Sequence, residues 1–182
     1  MLTRTQILAR TALLAALTAV GAFIKIPLGI SSITLQFFFT AMAGCLLGPL
    51  WGAVSQAVYL LLGVAGLPIF TIGGGFGYIF QPTFGFLLGL IPSALVMGLL
   101  TRKNHQPLRI ALACTAGLAT LYAVGLPYMA MILNGYLELG WSAWEILRNG
   151  MLLFLPGDAL KIAVAAVLFP KLSVLFDKKQ QA

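Results

Sequence analysis

Two opposite charges stand three residues apart in one of the most apolar stretches of the chain. Asp158 and Lys161 lie in "FLPGDALKI" (154–162). On a helix this spacing puts both on one face, close enough to pair. A charge at mid-membrane costs about 2.5–3.5 kcal/mol on insertion scales, so two together need a reason. One reason is purely structural: a self-neutralising pair, or Asp158 capping a helix after Pro156-Gly157. The other is a ligand site facing the interior, since ionisable residues inside membrane segments mark function by default. The functional reading is preferred. The pair offers an acceptor for ligand N–H groups and a donor for a carbonyl or carboxylate, which suits a small polar ligand.

A second constellation is "TIGGGFGYIFQPTFG" (71–85). Gly74 and Gly75, with Gly73 and Gly77, allow close backbone approach and positive φ. Pro82 suits the first turn of a following helix. Backbone N–H groups near such a helix start can bind an anion or a carbonyl oxygen; a bland loop fits equally well. Further candidates for the outer mouth are Gln36 beside Thr34, and Asn134 following Tyr122 and Tyr128. Each also suits plain interhelical hydrogen bonding. Phe70, Phe76 and Tyr78 fit either an apolar pocket wall or the membrane interface.

Other chemistries are missing from the sequence. It holds no G-x-x-x-x-G-K-[ST] phosphate loop, no dinucleotide fingerprint, no serine elbow and no metal-ligand spacing. No catalytic residue, metal or resident cofactor is expected, and His105 reads as a solvated residue of a basic loop. Cys45 and Cys114 both sit in apolar stretches and read as buried thiols rather than a disulfide.

The elements that position these residues are membrane helices. Of 182 residues, 60% are hydrophobic and 8% charged, against about 25% charged in soluble domains. Mean hydropathy is +1.01. Residues 26–101, 76 in a row, contain no Asp, Glu, Lys, Arg or His. That suffices for about three crossings at roughly 20 residues each. The apolar runs show no alternation of the kind a membrane barrel needs. The expected fold is an all-α integral membrane protein forming a single domain over residues 1–182, with six spans near 7–24, 34–48, 50–66, 83–101, 108–133 and 151–170. The first reads as a retained helix rather than a cleaved signal, because Arg10 interrupts its apolar core.

With both termini cytoplasmic, Arg4, Arg10, Arg102, Lys103, Arg109, Lys171, Lys178 and Lys179 fall inside, and Lys25 and Arg148 outside. Eight against two obeys the positive-inside rule, so the net charge of +7 reports topology and not nucleic-acid binding. "GCLLGPLWG" (44–52) is a tight inner turn punctuated by Gly48 and Pro49. "KIPLGISSI" (25–33), "GLPIFTIGGGFGYIFQP" (66–82) and "NGYLELGWSAWEILRNG" (134–150) face outward. The last carries Ser142 and Glu145 at capping-box spacing, predicting a short interfacial helix with Trp141 and Trp144 at headgroup level. Three long apolar outer connections over short basic inner ones predict a pocket near the outer face. A last span starting near Met151 puts Asp158 about 10 Å and Lys161 about 15 Å below the outer boundary. On the first helix, Ala12/Ala16 and Ala15/Ala19 are small-xxx-small pairs, suited to close packing within the chain or against another subunit.

Taken together, "ITLQ" (33–36), "MAGCLLGP" (42–49), "GLPIF" (66–70), "GGGFGYIFQPTFGFLLG" (73–89), "LPYMAMILN" (126–134) and "LPGDALK" (155–161) resemble the BioY family. These are the biotin-specific substrate-binding (S) components of energy-coupling factor (ECF) transporters. The resemblance spans nearly the whole chain. It departs at "ISS" (30–32), where members often carry two prolines before "TLQ". It implies six helices, both termini cytoplasmic, and biotin bound near the outer face with Asp158 and Lys161 on its polar groups. It also implies a transmembrane T subunit, docked partly through the alanine-rich first helix, and two ATP-binding subunits, which alone use ATP. An S component for another vitamin, or a self-sufficient secondary transporter, is the alternative. The location implied is the cytoplasmic membrane.

Overall fold

A computed structural model describes residues 3–28, 31–102 and 105–178; Ile30, Lys103 and Lys179 lie outside them. Helix α1 (Arg4–Phe23) leads into a hairpin of β1 (Lys25–Leu28) and β2 (Ser31–Thr34). Then come α2 (Gln36–Leu47), α3 (Pro49–Val64), a 3₁₀ turn (Phe76–Phe80), α4 (Phe84–Thr101) and α5 (Pro107–Ala130). The chain finishes with α6 (Ala143–Leu147) and α7 (Leu155–Lys178), and π-helical segments extend α5 to Tyr136 and join α6 to α7.

Among the described residues, four helical runs are long and apolar enough to cross a membrane: Arg4–Phe23, Phe84–Thr101, Pro107–Tyr136 and Ala143–Val174. Helices α2 and α3, with 12 and 16 residues, are shorter. At 1.5 Å per residue they reach about 18 and 24 Å, below the roughly 30 Å of a bilayer core. The expected spans at 34–48 and 50–66 are thus present as apolar helices of less than full crossing length.

The fold is mostly helical but not wholly so. The segment 25–33, expected as an outward-facing connection, instead carries β1 and, with Thr34, β2, paired antiparallel with Lys25 opposite Thr34 and Ile26 opposite Ile33. Pro27 is tolerated because a strand with one neighbour has a free edge. The last helical run also begins earlier than expected. The anticipated start at 151 falls inside it, because the capping box of Ser142 and Glu145 nucleates α6 at Ala143 and the π-helical turn carries the helix onward. A second capping box, Thr3 with Gln6, starts α1.

Helix α2 occupies the centre, touching α1, α3, α4, α5 and α7. Close approach is built from small residues: a Cβ on Gly44 would stand 2.5 Å from the Ala94 carbonyl oxygen of α4. Gly48, at φ 82°, ends α2 and starts α3 in the expected tight turn. Cys45 and Cys114 are buried free thiols. His105 is half-buried rather than solvated, since its Nε2 donates to the Cys45 carbonyl at 3.0 Å. Polar side chains in the helices find partners there, as apolar surroundings demand. Thr11, Thr18, Thr40 and Thr101 each donate to the carbonyl four residues back. Ser93 of α4 donates to Gly117 of α5 at 2.7 Å. The two alanine pairs of α1 separate: Ala15 is buried and Ala19 half-buried, whereas Ala12 and Ala16 face outward.

Candidate functional site

The first turns of α7 carry the charged pair. Pro156 is the second residue of α7, where the amide it lacks has no intrahelical partner. Asp158 follows in that first turn, where the helix dipole favours a negative charge. Lys161, one turn on, donates from Nζ to Asp158 Oδ1 at 2.7 Å. From α5, Tyr122 donates its hydroxyl to Asp158 Oδ2 at 2.5 Å. Asp158, Lys161 and Tyr122 are 5%, 9% and 8% exposed. The pair is therefore buried and neutral as a unit, while Asp158 keeps lone pairs and Lys161 keeps N–H donors for a third party.

All three line a cavity of about 140 Å³, near the size that holds one benzene ring. Its other polar groups come from Ser32 and Thr34 of the hairpin, Gln36 of α2, and Thr71, Tyr78 and Thr83 of the connection between α3 and α4. Apolar wall comes from Phe37 and Ile33, from Phe86, Leu87 and Leu90 of α4, and from Phe154 one turn before Asp158. Burial pushes the Tyr78 hydroxyl above the ordinary tyrosine range, so it stays protonated and can donate. The hairpin is held over this cavity at two points. Ile33 packs on Gly157, where a Cβ would approach it to 3.3 Å. Lys25 Nζ reaches the Thr71 carbonyl at 2.5 Å.

Of the residues singled out in the sequence, Thr34, Gln36, Tyr78, Tyr122, Asp158 and Lys161 meet on the cavity wall. The others stand elsewhere. Phe70 is fully buried behind the wall, in ring contact with Tyr59 and Tyr78. Gly74 lies against the end of α3, where a Cβ would come within 2.0 Å of the Leu67 carbonyl oxygen. Gly75, at φ 100°, gives its N–H to the Gly63 carbonyl at 2.7 Å. Its amide is thus committed to the fold, in keeping with the loop reading that the sequence left open beside a ligand-binding one. Tyr128 donates to the Ile79 carbonyl. Asn134 bonds the Trp141 backbone in both directions, closing the turn before α6. Pro82 lies two residues ahead of α4 instead of in its first turn. Phe76 is exposed.

Tyr122 was legible only as one of several hydroxyls; its pairing with Asp158 spans 36 residues. Ser32 and Ile33 of the hairpin were missed because its strands were. Phe154 had a local signal, four residues before Asp158 on the same helix face.

The BioY family model matches residues 1–178. The chain belongs to the BioY family. A probable biotin transporter BioY of Lysinibacillus sphaericus is 42% identical over 167 residues, 91% of this chain and 85% of that one. The biotin transporter BioY of Thermotoga maritima is 36% identical, covering 92% of this chain and 96% of its own. A crystal structure of the S-component for biotin from an ECF-type ABC transporter superposes with a TM-score of 0.71. It shares 26% identity, and each chain covers 94% of the other. BioY proteins are transporter components and not enzymes. With its several long apolar helices, this BioY chain is a multi-pass protein of the cell membrane.

Proposed function

We propose that the chain is the biotin-binding S component of an ECF-type importer. The observation that carries this reading is the buried Asp158–Lys161 pair, held by Tyr122 on the wall of the cavity. Biotin offers two urea N–H donors, a urea carbonyl, an apolar thioether ring and chain, and a carboxylate. Asp158 accepts a ligand N–H, Lys161 donates to a ligand oxygen, and Phe37, Phe86 and Leu90 hold the apolar part. Gln36 and Tyr78 add polar contacts. Phe70, Gly74 and Gly75 shape the loop that carries Tyr78, while Tyr128 and Asn134 fix the α4–α5 and α5–α6 edges.

The topology that suits this role has six crossings and both termini cytoplasmic, with α2 and α3 contributing short ones and the hairpin outside. Partners are a transmembrane T subunit, met by the outward face of α1 around Ala12 and Ala16, and two ATP-binding subunits. Titration of biotin into the purified chain tests the reading: saturable binding is expected, and a chain that binds another vitamin but not biotin overturns it.

A further inference from the structure

We propose that Tyr59, which lies outside the cavity, sets its ligand preference by holding Gln36 with the amide oxygen, and not the NH₂, toward the ligand. This deepens the biotin reading and rests on it. The argument is one of donors and acceptors. Tyr59 is 1% exposed. Its hydroxyl has a single proton, which goes to the Ile69 carbonyl at 3.1 Å. A carbonyl can only accept, so that direction is fixed. The Tyr59 oxygen must then accept from Gln36, and Gln36 Nε2 stands 2.8 Å away. Turning the amide round would set two acceptors against each other or orphan the Ile69 carbonyl. The opposite side of the amide agrees, because Thr34 Oγ1 donates to Gln36 Oε1 at 3.0 Å.

Amide oxygen and nitrogen are nearly alike in shape, and only their partners distinguish them. Gln36 lines the cavity and Tyr59 does not. Thr34 takes one lone pair of Oε1 and the second remains. On this proposal the second N–H of Nε2 stays on the Tyr59 side and the free lone pair of Oε1 faces the cavity, an acceptor matched to a ligand N–H and mismatched to a ligand carbonyl or an N-methyl group. Tyr59 acts only through Gln36 and is a positioning residue.

The test compares the affinity of biotin with that of its two mono-N-methylated urea analogues. The proteins are wild type, Tyr59→Phe, and Tyr59→Phe combined with Gln36→Glu. Wild type prefers biotin to at least one analogue. Tyr59→Phe lowers biotin affinity about tenfold, the scale of one hydrogen bond to a buried group, and leaves that analogue nearly unchanged, so selectivity shrinks. Gln36→Glu, whose side chain presents only oxygen, restores the selectivity lost with Tyr59. A merely structural role for Tyr59 weakens biotin and analogue alike; an unchanged ratio, or no rescue, overturns the inference. Should Tyr59→Phe fail to fold, Gln36→Met in the otherwise native chain decides it. Met loses the preference for biotin over the analogue, and an unchanged preference overturns the inference. Wild-type protein that binds no biotin overturns the biotin reading and this inference together, whereas normal binding with unaltered selectivity overturns this inference alone.

Discussion

Replacing the charged pair by apolar side chains of similar shape separates what Asp158 and Lys161 do for the fold from what they do for a ligand. Asp158→Leu alone leaves the Lys161 ammonium, 9% exposed, without its counter-ion. Breaking one partner of a buried pair costs about 3–5 kcal/mol, which corresponds to a loss on the order of 10 °C in Tm for a chain of this size. Lys161→Met alone is milder, because Tyr122 still donates to the carboxylate. Replacing both charges removes the unpaired ion but orphans the Tyr122 hydroxyl, a further cost of about 1–3 kcal/mol. The triple variant Asp158→Leu, Lys161→Met, Tyr122→Phe removes every member of the network. It is expected to unfold within a few degrees of wild type, since such replacements are often neutral or stabilising, and to bind no biotin. Thermal unfolding in detergent and labelled-biotin binding read the two effects on one preparation. A triple variant that still binds biotin like wild type refutes the ligand role. One that unfolds as early as Asp158→Leu refutes the energetic reasoning.

Further outcomes follow from single contacts. Gly44→Val drives side-chain carbons into the Ala94 backbone, 2.5 Å from where a Cβ would stand. It should lower stability by about 1–3 kcal/mol, read as a drop in Tm relative to the exposed control Ala12→Val. Leucine at both Ala12 and Ala16, on the outward face of α1, should leave biotin affinity unchanged but abolish co-purification of the T subunit; intact co-purification moves the docking face elsewhere. Asn134→Ala removes both bonds to the Trp141 backbone. Hydrogen exchange should then rise by about tenfold in residues 134–142, the effect of about 1.4 kcal/mol of local stability, with little change in biotin affinity because Asn134 is off the cavity wall.

What the sequence reveals here depends on how local the signal is. The charge-free run of 76 residues identifies a membrane protein because no soluble surface can be built from it. The pair in α7 is legible because its partners are three residues apart. The turn at Gly48 and the cap at Ser142 are equally local, and both stand where expected. The hairpin is not legible from an apolar count, because Pro27 and Gly29 disguise a short strand pair as a loop. Tyr122 and Tyr59 act across 36 and 23 residues, and no spacing rule connects such positions. The glycines of residues 73–75 leave two readings open for a physical reason. Positive φ and a missing Cβ serve equally to admit a ligand or to seat a loop on a helix end, and here Gly74 and Gly75 do the second.

The most direct measurement is the affinity of purified protein for biotin, compared between wild type and Asp158→Asn. Asparagine keeps the shape, loses the charge and still offers Tyr122 an acceptor. Wild type should bind one biotin per chain, and Asp158→Asn should bind at least tenfold more weakly, as expected for a lost charged hydrogen bond of about 1.5–3 kcal/mol. Equal affinity of the two proteins, or no saturable binding by wild type, would contradict the assignment of the Asp158–Lys161 cavity as the biotin site.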